Sequence, residues 1–281
     1  METHSVRSAT SKSGETFGWL LSLGRTGCVA KGLVYCLVGG LAIAAAAGAG
    51  GEVGGSKNAI AKLGQQPFGQ VLLIATGIGL LCYAIWRIAQ AFVDPNDEGT
   101  DKEGAIKRVA YVISGVIHLG LTAYAFSFVF GGSSSSSGGG SGGASDWTAK
   151  LMGQPFGQWL VGIAGIVIIT VGVRQFMRAY QASFMDNYDQ SKLSGKSRMW
   201  SKRLGQIGLS ARGVVFALMG IFVIRAAIQA DPSESRGLGG ALSNLAGQPS
   251  GPWLLGIVAA GLVAYGVFCF SYARYRDFQR S

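Results

Sequence analysis

Gln66-Pro67-Phe68-Gly69-Gln70, Gln154-Pro155-Phe156-Gly157-Gln158 and Gln248-Pro249-Ser250-Gly251-Pro252 are one five-residue phrase written three times in a single chain. Each is followed by an apolar run of the length an α-helix needs to cross a hydrocarbon core, about 20 residues. Counted from the three prolines, these trailing helices align without gaps at shifts of 88 and then 94 residues. Ala84, Gly172 and Gly266 then coincide, as do Ala91, Ala179 and Ala273. A second apolar run precedes each phrase, and these leading runs align at shifts of 83 and 98, matching Lys31-Gly32, Ser114-Gly115 and Arg212-Gly213. Length differences between copies fall in the connecting loops, as expected if each two-helix hairpin is one structural unit.

The reading is an all-α integral membrane protein: six transmembrane helices, built as three tandem parallel two-helix hairpin repeats in a pseudo-three-fold arrangement. The apolar runs cover roughly residues 26–48, 69–93, 108–130, 157–180, 207–229 and 252–274. The chain divides into a cytoplasmic N-terminal tail, 1–22, and three repeats at 23–94, 107–184 and 203–276. Residues 131–145 are nearly all Gly and Ser, a tether with no capacity to build a core. A short, weakly amphipathic segment stands before each Gln-Pro phrase, at Ala59–Leu63, Trp147–Met152 and Ala241–Leu245, and reads as a helical turn or two at the outer interface.

Composition agrees. Charged residues are 14 % of the chain, well below the share of about 25 % usual in soluble domains. Glycine supplies 45 of 281 residues, mostly inside apolar runs, where small residues let helix backbones approach. Strips spaced one turn apart, Gly40/Ala44/Gly48 and Gly256/Ala260/Ala264, are candidate contact faces. The four cysteines lie in apolar runs without CxxC or metal-ligand spacing, which predicts buried small residues and no disulfide framework. The first apolar run is the opening member of a repeat after a long polar stretch, so it is not expected to be a cleaved signal.

The net charge of +10 is distributed unevenly. The side holding the termini and the connections between repeats carries 19 of the 24 Lys and Arg, leaving Lys57, Lys62, Lys150, Arg225 and Arg236 on the other. By the positive-inside rule both termini are cytoplasmic. The expected partners are the lipid bilayer and, beyond it, a membrane-protein partner or a second copy in a homo-oligomer; nucleic acid is not expected.

The odd helices, with Ala211-Arg212-Gly213-Val214-Val215-Phe216 as the clearest case, paired with Gln-Pro-Phe-Gly-Gln and a Gly-rich apolar helix, resemble a bacterial membrane-protein family catalogued as domain of unknown function 1206. The resemblance spans residues 23–276. It implies a bacterial inner-membrane location and the three-hairpin plan, and it carries no activity with it. The chain departs from the family pattern at Ser114, where a basic residue is usual, and at Ser250, where an aromatic is usual.

Six residues are candidates for lining a pathway: Lys31, His118, Arg212, Gln66, Gln154 and Gln248. The Gln-Pro phrases are either helix-start devices, since Pro suits the first helical turn, or a ring of amides around an outer mouth. Lys31, Ser114 and Arg212 share one repeat position: the bases there either snorkel to headgroups or face a central path that favours an anionic solute. His118 falls about ten residues past Arg108, roughly 15 Å deep at about 1.5 Å per residue. An imidazole at that depth either hydrogen-bonds another helix as the neutral form or lines a path. No nucleophile–His–carboxylate set, metal motif or phosphate loop appears, so neither catalysis nor a cofactor nor a metal is expected. Two functions remain open: a small-solute channel or transporter, and a structural or accessory membrane protein that packs against protein or lipid.

Overall fold

In the computed structural model, residues 3–49, 53–93, 102–130 and 142–276 are described. They form nine α-helices: α1 (Thr3–Ala46), α2 (Ser56–Gly64), α3 (Gly69–Val93), α4 (Lys102–Val129), α5 (Gly142–Met152), α6 (Gly157–Gln181), α7 (Gly195–Gln229), α8 (Leu238–Ala246) and α9 (Gly251–Tyr275). Six of them, α1, α3, α4, α6, α7 and α9, contain stretches long and apolar enough to cross a membrane, and none of these stretches holds an Asp or Glu. The short segments before the Gln-Pro phrases are helical, as α2, α5 and α8. Most of the Gly/Ser tether, 131–141, lies outside the described residues, and its last residues open α5.

The Gln-Pro phrases are tight turns from short helix to long one. In each, the Gln main-chain carbonyl accepts from the Gly N–H three residues on, at 2.8, 2.8 and 2.7 Å. Phe68 and Phe156 sit at φ of 61° and 59°, while Ser250 reaches the same turn at φ −105°. The following glycine is required sterically. A β-carbon at Gly69, Gly157 or Gly251 would collide with the carbonyls ending the preceding short helix, those of Gly64, Leu151 and Ala246.

Laterally the six long helices follow one another as α4, α3, α1, α9, α7 and α6. The most extensive contacts, α3 with α4, α6 with α7 and α9 with α1, join different hairpins. Contacts inside the first and third hairpins, α1 with α3 and α7 with α9, are smaller, and α4 and α6 of the second scarcely touch. Each two-helix repeat thus makes its broadest contacts with a neighbouring repeat. Glycine lines these contacts in every copy. At one aligned position of the odd helices, Gly32 backs onto the Gly266 carbonyl and Gly115 onto that of Ala84, while Gly213 meets the Phe176 ring and turns its own carbonyl to Gly172. All three copies keep it, and backbones at such range gain dispersion contact that a side chain would prevent.

The strips at Gly40/Ala44/Gly48 and Gly256/Ala260/Ala264 are not the contact faces. Nothing lies within 4 Å of a β-carbon placed at Gly40, and Ala260 is exposed while its neighbour Ala259 is fully buried. The residues used are Gly32 and Gly39 on α1, facing Gly266 and Ala259 on α9.

The α6–α7 connection is ordered and folds over the terminal end of the third hairpin. Phe184 and Tyr188 are buried against Phe268, and the Asp189 N–H donates to the Tyr275 carbonyl at 2.8 Å. Asp189 itself is partly exposed, its carboxyl held down at about 2 by hydrogen bonds from Lys192 and Ser191.

Candidate functional site

At the position shared by Lys31, Ser114 and Arg212, the two bases turn inward among tyrosines. Lys31 is buried, and its ammonium donates to the Tyr83 hydroxyl at 3.1 Å. It lies 4.9 Å from the Tyr83 ring centroid and 5.5 Å from that of Tyr265. Arg212 donates from Nη1 to the Tyr265 hydroxyl at 2.8 Å, with its guanidinium 4.4 Å from that ring. Tyr35 and Phe216 flank it at 5.5 and 5.2 Å. Tyr265 is thus held between the two bases and meets Tyr35 edge-on at 4.8 Å.

Charge is satisfied here by phenols and ring faces. With no carboxylate in the six spans, ion pairing inside them is unavailable, and cation–π contacts and neutral acceptors take its place. Burying an ion outside water costs several kcal/mol even after relaxation, roughly as for buried ion pairs, so two such bases are an expensive feature for a merely structural core. Arg212 Nε is buried with no hydrogen-bond partner among the described residues.

Arg87 and its neighbours extend the cluster towards the terminal end. Arg87 donates from Nε to the Tyr83 hydroxyl at 2.9 Å and from Nη1 to Gln90 Oε1 at 3.0 Å. Its guanidinium stacks at about the same range on Trp86 and Tyr111, 5.1 and 5.0 Å. The Tyr83 hydroxyl therefore accepts from two bases at once. Sequence reasoning missed Arg87, Tyr83 and Tyr265. The two tyrosines coincide in the even-helix alignment, which was the available signal.

His118 reaches the same cluster from α4. Its ring centroid is 4.5 Å from that of Tyr83. Its Nδ1 stands 2.7 Å from the Ser114 carbonyl, which can only accept, so Nδ1 carries the hydrogen. Lys31, His118 and Arg212 are thus brought together around Tyr83 and Tyr265. Gln66, Gln154 and Gln248 are not: all three are exposed at the Gln-Pro turns, and the Gln248 amide turns back to the Asn244 carbonyl at 3.5 Å. Among the described residues no group of His, Cys, Asp and Glu is arranged to hold a metal ion. The cysteines are free, Cys28 and Cys269 buried and Cys36 and Cys82 partly so.

The second hairpin lacks this arrangement. Ser114 replaces the base, and Val171 stands where the other even helices carry Tyr83 and Tyr265.

Comparison with known proteins follows the repeat pattern. The family described as Domain of Unknown Function (DUF1206) matches three times, over residues 26–94, 109–182 and 207–276. The "Uncharacterized protein YxxB" of Bacillus subtilis (strain 168) is 38 % identical over 256 residues, covering 90 % of each chain. No solved structure matches.

Proposed function

Because the chain belongs to this family of three-repeat membrane proteins, to which no activity is assigned, its own geometry must carry the reading, and we propose that it provides a pathway for a small anionic solute. The observation that supports this is the convergence of Lys31 and Arg212 on Tyr265 in spans without a carboxylate. An anion arriving there meets buried donors and displaces no resident counter-ion. His118, in ring contact with Tyr83, stands beside the same cluster. The setting is the bacterial inner membrane with both termini cytoplasmic, from the basic residues on the terminal side. The reading contains no catalytic step and calls for no cofactor.

Anion flux into liposomes carrying the purified protein tests it. Arg212→Gln should lower flux at least about tenfold, as expected when a buried charged donor is removed, while the variant still folds by circular dichroism. Labelling of His118→Cys by a charged thiol reagent, in a chain lacking the four native cysteines, should succeed from one face only. Wild-type flux no greater than in protein-free liposomes, with no labelling from either face, would leave the second reading: an accessory protein that packs against a protein partner, a second copy or lipid. The close approach of Tyr35 and Tyr265 at the level of the bases favours that alternative. Reporter fusions at residues 55, 140 and 240 should read periplasmic, and those at 98, 190 and 281 cytoplasmic.

A further inference from the structure

The repeats differ most where the two helices of a hairpin should meet. In the first hairpin Ala30 meets Gly79, and in the third Ala211 meets Gly261. The aligned pair in the second is Ile113 and Val167, exposed by 54 % and 53 %. One turn along α4, Ile117 is 57 % exposed, while its counterparts Val34 and Val215 are each 3 % exposed. These are not contact positions left vacant by chance. Small residues mark surfaces where membrane helices touch, whereas bulky aliphatic ones in a membrane protein face lipid tails. The second hairpin therefore carries the composition of a surface turned to acyl chains, placed where its siblings carry a helix seam.

A separate observation comes from the terminal end of α6. Arg174 occupies the position of buried Trp86 and Phe268, and Arg178 that of fully buried Gln90. Both arginines are exposed. Between them, Gln175 keeps a buried Oε1 with no hydrogen-bond partner among the described residues. Where α4 and α6 part, the aligned seam positions are thus exposed aliphatics ending in two arginines, and we read them as one cleft, apolar along its length and basic at one end, the charge pattern of an anionic lipid in outline. A helix from a partner or a second copy would need small residues along the seam and acceptors opposite the arginines, whereas Ile113 and Val167 put bulk where the closed hairpins carry Ala and Gly.

We propose that the cleft between α4 and α6 holds one anionic phospholipid, its acyl chains against Ile113, Ile117, Val167 and Val171 and its phosphate at Arg174 and Arg178. The lipid takes the place of the missing helix–helix contact and keeps the second hairpin open. This does not rest on the anionic-solute reading, since none of the six residues belongs to the Lys31–Arg212 cluster, and it is tested without measuring flux.

The test uses the full chain in neutral detergent, titrated with phosphatidylglycerol or phosphatidylcholine and followed by native mass spectrometry. One phosphatidylglycerol should be retained per chain in preference to phosphatidylcholine. Arg174→Gln/Arg178→Gln should weaken its retention about tenfold or more, from roughly 1 kcal/mol per basic residue near the headgroups. Lys196→Gln/Arg198→Gln, at the start of α7 on the same face, should leave it unchanged. Ile117→Trp, which fills the cleft and keeps both arginines, should also weaken it. Equal retention of the two lipids, equal effects of the two double variants, or a dimer whose mass excludes bound lipid would overturn the proposal.

Discussion

The first and third hairpins are closed and the second is open, although all three descend from one sequence pattern. In the closed pair, a β-carbon at Gly27 would fall 2.5 Å from the Tyr83 Cα, and one at Gly208 would fall 2.5 Å from the Tyr265 Cα. The aligned residue in the second hairpin is Ala110, opposite Val171. Tyr83 and Tyr265 are 1 % and 5 % exposed, and Val171 is 36 % exposed. By contrast, the contacts between hairpins keep their glycine in every copy, at Gly32, Gly115 and Gly213. The lesson is that a repeat protein specifies its seams separately: the joints between copies are held fixed while one copy is free to part along its own middle.

The comparison breaks most easily at the seam glycines. Gly27→Leu and Gly208→Leu should each cost about 3 kcal/mol or more, the upper end of overpacking, because backbone stands against backbone. Ala110→Leu should be near neutral by thermal melting in detergent. An equal loss at Ala110 would mean that the second hairpin closes in the membrane.

Removing a hydroxyl from the closed hairpins comes next. Tyr265→Phe should destabilise by about 1.5–3 kcal/mol, the range for a hydrogen bond to a charged group. Val171→Tyr in the second hairpin should give no matching gain, since Ser114 offers no base. A gain as large as the loss would show that a base reaches that site from elsewhere.

Aliphatic trimming sharpens the contrast further. Leu262→Ala, at a fully buried position, should cost about 2–5 kcal/mol. Ile117→Ala should stay within about 0.5 kcal/mol, as is usual for exposed positions. Ala260→Leu belongs with the second group, because Ala260 faces outward. Chemical denaturation in mixed micelles measures all three.

Much of this was written in the chain. The apolar runs located all six spans, and the Gln-Pro phrases fixed where three of them begin, since a turn requiring Gly at a fixed place leaves little freedom of register. The shared repeat position of Lys31 and Arg212 was legible too, but not whether the bases snorkel outward or turn inward, because that depends on the tyrosines of α3 and α9 that receive them. Which small residues meet could not be read from spacing alone. Gly40/Ala44/Gly48 and Gly32/Gly39 both recur at helical intervals, and only the partner helix decides between them. The opening of the second hairpin was legible in principle, in Ile113 and Val167 standing where Ala and Gly recur. Reading it required knowing which positions face one another.

The most extensive partner of α1 is α9, and the two lie at opposite ends of the chain. During synthesis at about 5–20 residues per second, α1 waits on the order of ten seconds for the helix that covers Gly32 and Gly39. Through that interval Lys31 has α3 beside it but lacks the ring of Tyr265, and the half-made protein exposes its close-contact face to the bilayer. Biogenesis therefore cannot be a simple succession of finished hairpins: the contact that covers α1 forms only once α9 has been made, and a chain cut short after α7, with Gly32 and Gly39 of its first helix left uncovered, is a natural substrate for membrane proteases.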